Sequence, residues 1–166
     1  MDYDKAAEFW TEKESASVKC PDVKERLEKF VSERSVCALA VGSGDFVRCT
    51  PLEYSWLDGA FWIFSEGGLK FRALKDNKNV CLAVFDTADG PNFGKLHSAQ
   101  ISGRAEIVEP FSDEYIKLLE YKKIPEAAVR KMPEPINLIK IIPAEADYLD
   151  SGLKKEGFDS RQHIEY

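Results

Sequence analysis

The chain has 166 residues, of which 44% are apolar and 11% aromatic, enough for one domain whose core needs no disulfide or structural metal and too apolar for disorder. A net charge of -6 excludes a broadly basic nucleic-acid surface, so any anion it binds must be held by a local cluster. The four cysteines, Cys20, Cys37, Cys49 and Cys81, form no C-x-x-C pair. With no signal peptide and no apolar run near the roughly 20 residues of a membrane span, they read as buried thiols of a cytoplasmic protein with no membrane partner.

The elements follow in chain order, within one domain spanning 1–166. Residues 1–34 read as two amphipathic helices: Tyr3, Ala6 and Trp10 recur at helical spacing, then Val23, Leu27, Phe30 and Val31, with Asp22 and Glu25 at capping-box spacing. Residues 35–143 carry the strands. "SVCALAVG" is a buried strand ending in a glycine turn, and "FVRCTPLEYSWL" pairs with "AFWIFS" across the Asp58-Gly59 turn, Pro51 marking an edge or a bulge. After Leu69 to Asp76, one or two turns of helix, come the strand "VCLAVF" and the alternating "LHSAQISGRAEIVE". Ser112 caps a further helix, a short Pro-started helix follows near Glu126 to Met132, and the last strand, "INLIKII", stops at Pro143. Residues 144–166 are a polar, frayed tail. Six strands in hairpin order with helices between and around them predict an α+β antiparallel split β-barrel of Greek-key type.

Common catalytic signatures are missing. The nearest string to a phosphate-binding P-loop, Gly90 to Lys95, is one residue short, and no G-x-G-x-x-G, H-E-x-x-H or G-x-S-x-G occurs. Two histidines, His97 and His163, are too few for a histidine-rich metal site. What stands out is positive charge at Lys70, Arg72 and Lys75, after Gly67-Gly68, with Arg48 on a neighbouring strand face that it shares with Thr50 and Leu52. Two readings of this charge stand open: the wet face of a short helix, or a seat for an anion such as phosphate at a glycine-led helix start.

The ordered set Arg48, Asp58-Gly59, the aromatic strand Phe61 to Ser65, Lys70 with Leu74, Asn77 and Gly103 resembles the flavin-binding split-barrel family typified by pyridoxamine 5'-phosphate oxidase. The resemblance covers Ser35 to Glu109 and, more loosely, the final strand. It implies an FMN-binding homodimer with flavins in clefts between the subunits. Arg48 and Lys70 match the phosphate-binding positions; Thr50, Pro51 and Leu52 match the strand beside the isoalloxazine, with Cys49 between Arg48 and Thr50. Phe64 and Ser65 match the aromatic-hydroxyl pair near the ring, Ser98 falls on a polar position ahead of the Gly-containing strand, and Tyr148 is a candidate ring contact in the partner's site. Leu69 stands where the oxidase has an arginine, and Arg161-Gln162-His163 is followed by Ile164 and Glu165 and not by the oxidase's further arginine. Those departures point away from vitamin B6 oxidation.

No residue is singled out as catalytic. The resemblance implies a small FMN-dependent oxidoreductase passing electrons from NAD(P)H to a flavin or another small acceptor; the alternative is a flavin- or haem-binding split-barrel module without turnover, a carrier or sensor. The dimer contact is expected from the aromatic strands near Tyr54 to Phe64 and from the segment after Pro143.

Overall fold

The computed structural model describes residues 1–86 and 96–166; the Gly90 to Lys95 string and the Trp10 side chain lie outside the described residues. Helices α1 (Tyr3–Ser15) and α2 (Val23–Ser32) lead into β1 (Val36–Ser43), β2 (Phe46–Glu53), β3 (Ser55–Leu57) and β4 (Ala60–Ser65). Then come α3 (Lys70–Asp76), β5 (Asn79–Phe85), β6 (His97–Val108), α4 (Asp113–Tyr121), α5 (Glu126–Val129), β7 (Asn137–Asp150), a 3-10 turn (Ser151–Glu156) and β8 (Arg161–Glu165). All pairings are antiparallel, in the order β2-β1-β5-β6-β7-β4-β3, with β8 added to β7. This is the α+β split barrel expected from the sequence: a curled sheet with helices outside it.

Local chemistry explains the path. Asp58 (φ 52°) and Gly59 (φ 73°) both take positive φ, which suits the tight turn joining β3 to β4. Strand β7 serves two neighbours along one edge: Asn137–Ile141 pairs with β4, and Glu145–Leu149 pairs with β8. On its other edge β6 follows it throughout, with a register shift between Ser102 and Gly103. A Cβ on Gly103 would stand 2.6 Å from the Ile142 carbonyl oxygen, so the close approach of the two backbones requires glycine there.

The interior face gathers Leu39, Val41, Ile63, Leu82, Ile101, Ile139 and Ile141, closed by Leu27, Phe30 and Val31 of α2. A second cluster lies on the other side of β4 and β7, where Trp62 and Leu138 meet Tyr115, Leu118 and Leu119 of α4. Ser112 caps that helix by accepting the Tyr115 N–H.

Four expectations change. Among the described residues the sheet has eight strands and not six, because β3 separates from β2 at Tyr54 and the terminal stretch forms β8. Pro143 does not stop the last strand, since it sits at the register shift, where a missing N–H is tolerated. The tail is not frayed: Leu153 and Gln162 are fully buried, Gln162 through hydrogen bonds to the backbone of Val18, Cys20 and Asp159. Asp22 makes no capping bond and instead accepts from Arg26 and from the Cys20 thiol, and Tyr3 and Ala6 of α1 are exposed. Tyr54, Phe61 and Trp62 are buried in the chain's own cores.

Candidate functional site

Pleating sends Phe46, Arg48, Thr50 and Leu52 of β2 to the interior face and Val47, Cys49 and Pro51 to the outer one. Phe46 and Leu52 pack on the core, while Cys49 and Pro51 are exposed. Pro51 is tolerated because β2 is an edge of the sheet. Arg48 faces the row formed by Val41, Val80 and Gly103 across three strands.

The second part of the site is the turn between β4 and α3. Ser65 Oγ accepts the Gly67 N–H and donates to the Gly67 carbonyl, each at 3.2 Å. Gly67 (φ 136°) and Gly68 (φ 104°) occupy backbone regions that side chains disfavour, and the chain so turned lets Lys70 Nζ donate to the Gly67 carbonyl at 2.5 Å. Asn77 fixes the far end of α3: its Nδ2 donates to the Gly42 carbonyl of β1 at 2.8 Å, and its Oδ1 accepts the Asn79 N–H at 3.0 Å. The helix packs against both β1 and β2.

Charge at the site is uncompensated. Lys70 is 6% exposed, and among the described residues neither it nor Arg48 forms an ion pair with a carboxylate. Burial, and then the nearby Arg48 charge, pushes the Lys70 ammonium below the ordinary lysine range. Thr50 Oγ1 is buried with no hydrogen-bond partner. A buried ammonium beside a second cation, with an idle hydroxyl on the same strand face as that cation, is unfavourable until an anion joins them. The wet-face reading accounts for Lys75, which is exposed, but not for Lys70. Arg72 lies with its guanidinium 5.1 Å from the Phe46 ring.

Other sequence candidates lie elsewhere. Leu69 is 55% exposed just ahead of α3. Phe64 points away from Ser65, its ring edge-on to Tyr115 of α4 at 5.7 Å. Ser98 lies five positions along β6 from Gly103, beside a cavity of about 310 Å³. Tyr148 is a core residue, 2% exposed, with its hydroxyl 2.5 Å from His97 Nε2. The structure therefore gathers Arg48, Thr50, Ser65 and Lys70 and separates them from Phe64, Ser98 and Tyr148. Sequence reading missed the Gly67 carbonyl as the Lys70 partner; paired glycines before a lysine were the available signal.

An antiparallel split barrel with Arg48 on its second strand and the buried Lys70 near it is the fold class and charge arrangement on which the comparisons bear. Within that class the chain belongs to the pyridoxamine 5'-phosphate oxidase family, whose model matches residues 23–150. Among curated proteins, none matches the chain. Similar solved structures include an FAD-binding protein from Mesorhizobium loti, at 18% identity and a TM-score of 0.60 over 74% of this chain and 89% of that one. HutZ, the haem storage protein of Vibrio cholerae, matches at 13% identity and a TM-score of 0.57 over 72% of this chain and 88% of its own. A haem-binding protein from Mycobacterium smegmatis matches at 14% and 0.66 over 89% of this chain and 60% of its own. At these identities the likeness is one of fold.

Proposed function

We propose that the protein binds FMN and works as a small oxidoreductase, carrying electrons from NAD(P)H to a flavin or another small acceptor, as a homodimer. The observation that carries this reading is the Lys70 ammonium, 6% exposed, with no carboxylate paired to it among the described residues and the Arg48 charge acting on it. A phosphate monoester supplies the missing negative charge: Arg48 offers a planar fork of donors, Lys70 a point charge, and Thr50 Oγ1 a hydroxyl without another partner. The residues present fit such a group. Bound there, FMN supplies hydride and single-electron chemistry that side chains lack.

This chain's own part is to hold and orient. Gly67 and Gly68 leave the approach to Lys70 free of side chains, and Asn77 fixes the helix that carries it. Arg48 is the charge acting on Lys70, so the seat provides binding without an evident acid or base. That favours keeping the second reading, a flavin- or haem-holding carrier or sensor, whose support is the fold shared with haem proteins. The absorption spectrum of the purified protein, followed as NADH or NADPH is added without oxygen, tests both. Flavin bands that bleach faster than free FMN support the enzyme; flavin bands that do not bleach support the carrier; a Soret band in place of flavin bands overturns FMN binding.

A further inference from the structure

A cavity of about 440 Å³ lies between the last turn of α1 and the outer face of β7 and β8, on the side of the sheet away from Arg48. Ser17, Asp147, Lys154, Asp159, Arg161 and His163 are among its lining residues. Its volume suits a metabolite. Apart from Asp147 and Leu149, the lining falls outside the family-matched residues 23–150, so the cavity is built mainly by the two ends of this chain.

Its carboxylates already have partners. Asp147 Oδ1 holds His163 Nδ1 at 3.1 Å, Glu14 lies 3.7 Å from Lys19 and 3.9 Å from His163, and Asp159 Oδ2 accepts the Val18 N–H at 2.7 Å. The donors do not all have partners. Ser17 Oγ is buried without a hydrogen bond, and Lys154 forms no ion pair among the described residues. Lys13 and Arg161 add positive charge to the same lining. With acceptors engaged and donors left over, the complementary occupant carries acceptors and negative charge.

We infer that this cavity binds a small organic anion, a carboxylate or phosphate ester, through Ser17 and Lys154, at a site distinct from the Arg48 and Lys70 seat. Amide NMR of the full chain during titration with succinate, at constant ionic strength, tests it. Saturable shifts should centre on residues 13–18 and 154–163, and neutral succinamide should produce none. Lys154→Ala and Ser17→Ala should each weaken succinate about tenfold, and Arg48→Ala should leave it unchanged. Lys154 is exposed, so its replacement does not threaten the fold. Shifts centred on Arg48 and Lys70, an equal response to succinamide, or unchanged affinity in both cavity variants would overturn the inference. None of these outcomes depends on flavin binding, so the two sites stand or fall separately.

Discussion

Lys70 shows what burial adds to a charge that sequence alone leaves ambiguous. Charge-assisted hydrogen bonds to phosphate are worth roughly 1.5–3 kcal/mol, so Arg48→Ala or Lys70→Ala should weaken FMN about 10- to 150-fold while leaving riboflavin nearly unchanged. Lys75→Ala, at an exposed position, is the control and should change neither affinity. Thr50→Val sharpens the series: removing a buried unpaired hydroxyl should raise the apo-protein's melting temperature and lower FMN affinity together. Titration of apo-protein with both flavins reads all four variants, and equal losses for FMN and riboflavin would assign the cluster to the fold. A separate residue-scale effect concerns His97, whose ring lies 4.0 Å from that of Phe30 and bonds Tyr148, with Asp86 at 3.5 Å. Burial pulls its pKa below the ordinary 6.5, against the raising effects of Asp150, Asp86 and Glu33, and with Arg34 also lowering it. The unfolded chain then binds the proton more readily, so this contribution is fully present above about pH 6.5 and is lost as pH falls through the window below it. Asp86, held low by Arg34, adds acid sensitivity at still lower pH. Melting temperatures between about pH 5 and about pH 8 should slope less in His97→Gln than in the parent; identical slopes would remove His97 as the cause.

At the scale of elements, what the sequence showed depended on how local its signal was. The alternation of Ala99, Ile101, Gly103 and Ala105 marked β6, and Asp58-Gly59 marked the turn from β3 to β4, because each pattern is complete within a few residues. Strand β8 was hidden because one of its inward residues is Gln162, and a glutamine reads as surface until the backbone groups of Val18, Cys20 and Asp159 are seen to satisfy it. The proposed seat was half legible: spacing left the charge at Lys70 open between two readings, the resemblance pointed to Arg48 and Lys70, and Lys70's burial depends on packing between α3, β1 and β2 that no local pattern contains. Gly103 links pattern to packing. Replacing it with alanine would drive a Cβ against the fixed Ile142 carbonyl, so Gly103→Ala should lower unfolding free energy by about 1–3 kcal/mol in urea. An unchanged urea midpoint would mean that β6 and β7 separate there at little cost.

Across the whole molecule, the phosphate seat and the ring candidates point in different directions. In the proposed site Arg48, Thr50 and Lys70 would hold the phosphate end of FMN, whereas Phe64 turns to α4 and Tyr148 is sealed in the core. The isoalloxazine therefore needs a surface that these two side chains do not offer, and a second copy is the simplest source. The outer face of β1 and β5, bordered by the edge strand β2 that carries Arg48 on its other face, suits such a contact. It presents Ala38, Ala40, Gly42, Cys81 and Ala83, with Val47 77% and Phe85 58% exposed beside them, where a strand face turned to water ordinarily carries polar residues. A stable interface buries about 1,600 Å² in total, so a single large charge near its centre should break it. We expect light scattering to report a dimer, and Ala40→Glu to give a monomer with unchanged circular dichroism and weakened FMN binding. The fold should survive because Ala40 projects outward between Cys49 and Cys81. A parent chain that is monomeric with FMN fully bound would show that one copy seats the whole flavin, and the dimer would then have no part in the site.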